Sequence, residues 1–155
     1  MSELRTNRIV PRDGLPSGSS GGIIQVKQSL YSTHSTYTNT SFAALSGFTC
    51  AITPTRADSK ILITLNLCVE VRSASIICMQ LTRGGSSIFT NLGGMRGDGT
   101  AQGGYVSMTY LDSPASTSAL TYGVQTRTSN STYAINNYIG SGPTNSFLTL
   151  MEVSG

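Results

Sequence analysis

From Ile23 onward, hydrophobic and polar residues recur with a period of two, the pattern of strands that bury one face and turn the other outward. The clearest run sets Ile61, Ile63, Leu65, Leu67, Val69 and Val71 on one face, with Leu62, Thr64, Asn66, Cys68, Glu70 and Arg72 between them. A second run follows the short connection Arg72-Ser73-Ala74-Ser75. In it Ile77, Met79 and Leu81 alternate with Ile76, Cys78, Gln80 and Thr82. Gly84-Gly85 then predicts a two-residue hairpin into Ser86–Thr90, because primed turns need positive φ at their centre. Further strands are predicted over 23–30, 47–53, 104–111, 118–127, 132–139 and 146–153. Most are bounded by turn clusters such as Ser113-Pro114, Ser129-Asn130-Ser131 and Gly140-Ser141-Gly142-Pro143. Eight or nine short strands and no credible helix in 155 residues predict an all-β fold. The expected architecture is an antiparallel β-sandwich, jelly-roll-like, with an extended N-terminal arm.

Residues 1–22 depart from that period. Pro11, Asp13-Gly14, Pro16 and the run Ser17-Gly18-Ser19-Ser20-Gly21-Gly22 hold no regular element, since proline removes a backbone donor and glycine carries a high ordering entropy. The segment reads as an anchoring arm and Gly/Ser hinge ahead of a β-sandwich head over 23–155. Arg5, Arg8 and Arg12 would meet acidic or carbonyl-rich grooves on a docking partner, and Ile9 and Val10 would fill a pocket there. The opening lacks the apolar stretch of a secretory signal, and no apolar run is long enough to span a bilayer, so no membrane insertion is expected.

Composition sharpens the picture of the surface. Only 11% of residues are charged, against about 25% in ordinary domains. Ser and Thr together make up about 28%, so hydroxyls and amides rather than ions face the water. A mean hydropathy close to zero argues for a folded chain. The net charge of +3 is scattered, with no basic patch beyond the three arginines of the arm, and nucleic acid is not an expected partner. Cys50, Cys68 and Cys78 form an odd set without metal-type spacing and read as free, half-buried thiols of a reducing compartment.

The outward positions of the two clearest strands are unusual. Leu62, Thr64, Asn66, Cys68, Ile76, Cys78 and Gln80 carry no charge, whereas exposed sheet faces normally hold Lys and Glu that keep neighbours away. Charge depletion of this kind marks the centre of a subunit interface, and a homo-oligomer is predicted, with a trimer as its closed ring. The bland reading stays open: the chain's own second sheet or its loops would cover the same face.

Chemistry is sparse. The acids Glu3, Asp13, Asp58, Glu70, Asp98, Asp112 and Glu152 show no paired spacing, and the single histidine, His34, sits among Ser32, Thr33, Ser35 and Thr36 as a solvated loop residue. No catalytic residue, metal site or cofactor is predicted. Gly93-Gly94-Met95-Arg96-Gly97-Asp98-Gly99 reads as a mobile loop, with Arg96 and Asp98 as candidate receptor contacts within an Arg-Gly-Asp tripeptide. Asn39-Thr40-Ser41 and Asn130-Ser131-Thr132 match the glycosylation acceptor, which has meaning only in a eukaryotic secretory setting. Tyr133, Asn136 and Asn137 offer the aromatic and amide chemistry of a sugar platform, although aromatics at strand spacing read first as core or cross-strand pairs.

The opening Glu3-Leu4-Arg5-Thr6-Asn7-Arg8-Ile9-Val10-Pro11-Arg12-Asp13-Gly14 and Ser20-Gly21-Gly22-Ile23-Ile24-Gln25-Val26 resemble the start of tail-fibre-like virion structural proteins of marine bacteriophages, cyanophages especially. Ile52-Thr53-Pro54, Ser59-Lys60-Ile61-Leu62-Ile63 and the closing Leu148-Thr149-Leu150-Met151-Glu152-Val153 are similar to that group as well. The resemblance implies a non-enzymatic virion appendage, trimeric, with an N-terminal anchor and a β head. It would be assembled in the host cytoplasm on other capsid or tail proteins. Contact of the head's loops with host surface glycan is a separate expectation, resting on the loop residues and not on the resemblance. Long shaft repeats of an extended fibre are missing from this chain. The rival from another class is a free carbohydrate-binding lectin domain.

Overall fold

Alternating strands bury one face only, so they must pair edge to edge and then stack face to face to remove that face from water. The computed structural model describes residues 22–72, 74–130, 132–137 and 144–154, and does so as ten strands. These are β1 (Ile23–Tyr31), β2 (Ser35–Tyr37), β3 (Ala43–Ile52), β4 (Lys60–Val71) and β5 (Ile76–Arg83). They continue as β6 (Ser86–Arg96), β7 (Gln102–Asp112), β8 (Leu120–Thr128), β9 (Tyr133–Ile135) and β10 (Ser146–Val153). The arm residues Arg5, Arg8, Ile9, Val10 and Arg12 lie outside the described residues.

Four antiparallel pairs nest inside one another: β5 with β6, β4 with β7, β3 with β8 and β1 with β10. Together they form one long ribbon rolled up on itself, with β10 also pairing β4 and β8 also pairing β5. The result is a six-stranded sheet in the order β1-β10-β4-β7, with β9 and β2 continuing past the end of β10, packed on a four-stranded sheet in the order β3-β8-β5-β6. The predicted antiparallel sandwich is what forms, and this nesting is the jelly-roll arrangement.

The inward residues that the period marked out in the two clearest strands lie in the core. Ile61, Ile63, Leu65, Leu67, Val69 and Val71 are all buried, opposite Ile77, Met79, Leu81, Tyr122 and Val124 of the other sheet. Each such side chain contributes about 2 kcal/mol of transfer free energy. Gly84 and Gly85, with φ of 57° and 83°, make the predicted two-residue hairpin. Three cross-sheet ties close the ends of the sandwich. Asp112 accepts from Tyr122 Oη and Arg83 Nη1 at 2.6 Å each. Tyr133 Oη meets Thr126 Oγ1 at 2.8 Å and donates to Asn39 Oδ1 at 2.9 Å. The rings of Tyr31 and Phe48 stack at 4.9 Å.

Two expectations change here. The short connection after Val71 carries the chain from the six-stranded to the four-stranded sheet, since β4 and β5 do not pair with each other, so the outward positions of the two runs do not share one face. The glycine stretch 93–96 is not a loop but the end of β6. Five residues of β6, Asn91 to Met95, span what three of β5 span, Met79 to Ile77, and Gly93 and Gly94 sit in the resulting bulge. A Cβ on Gly94 would lie 2.9 Å from the Ile77 carbonyl oxygen, so only glycine fits that crossing.

Candidate functional site

The sheet change after Val71 divides the predicted interface. Leu62, Thr64, Asn66 and Cys68 point outward from the six-stranded sheet, whereas Ile76, Cys78 and Gln80 point outward from the four-stranded sheet on the opposite side. They are two surfaces, not one. Cys68 and Cys78 are moreover buried within the chain itself. The Cys68 thiol lies 2.9 Å from Thr144 Oγ1, and the Cys78 thiol donates to the Leu92 carbonyl. All three cysteines are free and buried, more deeply than the half-burial expected of them. Burial pushes the Cys50 thiol up from its ordinary value.

Register brings other strands into the larger of the two surfaces. Reading across β1, β10, β4 and β7, one outward row is Val26, Met151, Leu62 and Leu111; the next is Gln28, Thr149, Thr64 and Thr109. The third is Leu30, Phe147, Asn66 and Ser107, and Tyr105 stands beyond it opposite Cys68. None of these carries a charge. Among the described residues, charged groups stand on this face only at its two ends: Lys60, exposed, before the first row, and Glu70 with Arg72 after the last. Glu70 is buried and bonded to Arg72 and to Asn137 Nδ2.

Within this face lies a shallow depression of about 370 Å³ whose floor and walls include Gln28, Thr64, Asn66, Ser107, Phe147 and Thr149. Its amides are already oriented: Ser107 Oγ donates to Asn66 Oδ1 at 3.0 Å, and Gln28 Nε2 donates to Thr149 Oγ1 at 2.8 Å. Around it Val26, Leu30, Tyr105 and Leu111 remain about half exposed, at 54%, 57%, 51% and 47%. Such a surface offers dispersion, hydrophobic burial and neutral hydrogen bonds.

The candidate receptor residues do not assemble. Tyr133 and Asn136 are buried, so neither presents a sugar platform. The Asn136 amide donates to the carbonyls of Tyr31 and Thr33 while its Oδ1 accepts from Ser146 Oγ, which pins the start of β10 to the end of β1. Asn137 bonds Glu70. Arg96 ends β6 and Asp98 lies in the turn after it, both exposed. The side chain and backbone of Thr100 bond the Asp98 carboxylate and hold it below its ordinary pKa. His34 is an exposed loop residue, as predicted.

Elsewhere the acids serve as internal ties. Glu152 is fully buried. Burial works against its charge, but bonds from Gln25 Nε2 and from Thr55 N and Oγ1 outweigh that and keep the carboxyl below its usual value. Among the described residues, no three His, Cys, Asp or Glu gather as a metal site would require. No protein-family model matches the chain, and no curated protein matches it.

Period-two reasoning found the β4 share of the uncharged face and missed the shares of β1, β7 and β10. The signal was present: Leu111, Phe147 and Met151 are off-phase apolar positions of their strands, and in β1 Val26 and Leu30 are the apolar phase itself, turned outward, with Gln25, Lys27 and Ser29 on the other face. What sequence could not supply was the pairing that lines them up with Leu62 and Thr64.

Proposed function

We propose that this chain is a non-enzymatic structural subunit of a bacteriophage virion, an oligomeric (trimeric) appendage docked through residues 1–22 onto the capsid or tail. The observation that carries this reading is the uncharged outer face of the six-stranded sheet, which has the charge-depleted composition of an interface centre between charged ends. A rigid jelly roll whose buried acids all serve as internal ties suits a building block, and the resemblance of its opening residues to marine phage virion proteins supports the setting. On this reading Arg5, Arg8 and Arg12 give the arm its charge and Ile9 and Val10 its apolar anchor.

The test is mass spectrometry of purified particles from a host producing the full chain or its Arg5→Glu/Arg8→Glu/Arg12→Glu variant. The full chain should co-sediment at fixed stoichiometry and the variant should be lost at least tenfold. Equal occupancy would remove the anchoring role, and absence of both would remove the virion role. One observation favours the lectin reading: the depression on the sheet combines Phe147 with neutral amides and hydroxyls, the chemistry that binds sugars. Submillimolar glycan binding by the free protein would favour it.

A further inference from the structure

We propose that the outer face of the six-stranded sheet is covered by a second copy of this chain, each copy setting protruding side chains of its face into the depression of its neighbour. The inference deepens the oligomeric part of the proposed function and rests on it, not on the virion setting.

Charge selects the occupant. A nucleic acid, an acidic or basic peptide, or a phosphate-bearing surface needs countercharge, and the three rows between Lys60 and Glu70 supply none. The matching surface must itself be neutral, partly apolar and rich in hydroxyls. A surface of that composition is on hand in every other copy of the chain, and two such faces meet without burying a charge.

Shape points the same way. Val26, Leu30, Tyr105 and Leu111 stand about half exposed around the depression, whose lining includes Phe147, so protrusions and hollow occur on one surface. A surface that carries both protrusions and a hollow can close a two-fold contact face to face, and protrusions entering the hollow of the next copy can equally close a three-fold ring.

The edge of the sheet adds a separate reason. Among the described residues β7 pairs only with β4, which leaves its far edge open over eleven residues. It contains neither lysine nor proline, and its pairing with β4 runs from Gln102 to Asp112 without a register shift. Natural sheets rarely leave so long and regular an edge bare in solution. Tyr105 and Leu111 lie on that strand, so a copy seated on the face also shields the edge.

The experiment measures the mass of the full chain by native mass spectrometry and light scattering between about 0.1 and 100 μM, a range set by ordinary association constants. The wild type should appear at a whole-number multiple, two or greater, of 16.3 kDa. Thr64→Lys and Leu111→Lys, each placing an unpaired charge in the buried face, should weaken association by about a hundredfold or more. Gln80→Lys, on the outer face of the other sheet, should leave it unchanged. Circular dichroism checks that each variant folds. Should the face variants fail to fold, hydrogen exchange of the wild type at high and low concentration replaces them, with slowed exchange expected in β7.

A wild type that is monomeric at 100 μM, an oligomer indifferent to both face variants, or a monomer that fills the depression with a glycan would each overturn the inference. A chain monomeric in solution yet present on particles refutes this inference alone. An oligomer absent from particles refutes the virion setting alone.

Discussion

Asp112 shows how a single residue holds the sandwich shut. Its carboxylate, on β7, accepts from Tyr122 and Arg83 of the opposite sheet, and burial with the Asp112 bond raises the Tyr122 phenol far above its ordinary value. Asp112→Ala strands a fully buried hydroxyl, so it should cost about 2–3 kcal/mol in urea unfolding. Arg83→Ala should cost about 1 kcal/mol, because Arg83 is one-third exposed and the Tyr122 bond survives. Tyr31 and Glu152 contribute to opposite ends of the pH profile. Tyr31 is pushed up to about 12 from 10.0, by burial first and then by Tyr37. A phenol whose folded value exceeds its unfolded one lends stability below that unfolded value and loses it as pH climbs through the folded one. Unfolding midpoints should therefore fall between about pH 10 and 12, and Tyr31→Phe should make that limb shallower, the raised Tyr122 and Tyr133 phenols supplying the rest. Glu152 has the opposite sign: its lowered value lends stability above 4.5, and that is lost as pH falls through the folded value. Glu152→Gln should weaken the protein at pH 7 and lose that difference on acidification. Of these ties, none was legible beforehand. Partners such as Asn136 and Tyr31 lie 105 residues apart, and local pattern carries no information on such a pairing.

Among elements, β4 was the easiest to read and β6 the hardest, for a common physical reason. In β4 every second residue is a large aliphatic, and all six of those are buried. In β6 the glycines that look like a loop are there because the strand must bulge and let the Ile77 carbonyl pass close by. A paired substitution separates the two explanations. Gly94→Ala forces a backbone shift against β5 and should cost about 1–3 kcal/mol. Gly93→Ala meets nothing within 4 Å and should stay within about 0.5 kcal/mol. Equal, small effects at both sites would mean that the stretch behaves as a loop after all. The short strand β2 escaped notice because three residues cannot display a period.

At the scale of the molecule, periodicity specified that strands exist and, for β4 and β5, which face is buried, whereas in β1 its apolar phase, Val26 and Leu30, turns outward; the sheet each strand joins came from the path of the chain. A four-residue link after Val71 fits a hairpin as readily as a sandwich corner. The predicted interface was therefore split, and its larger half gained partners that sequence could not align. The completed face makes a thermodynamic demand that unfolding can read. Val26, Leu30, Tyr105 and Leu111 leave water only in an assembly, so their burial stabilises the native state in proportion to the concentration of copies. Diluting the full chain a hundredfold should lower its melting temperature by about 2–6 °C, as expected when association is linked to folding in a domain of this size. Thr64→Lys should melt at one temperature at every concentration, below the wild type at high concentration and level with it when dilute. A wild type that also melts independently of concentration would leave the four exposed side chains as ordinary surface, and the uncharged face would then need a hydroxyl-rich ligand rather than a neighbour to explain it.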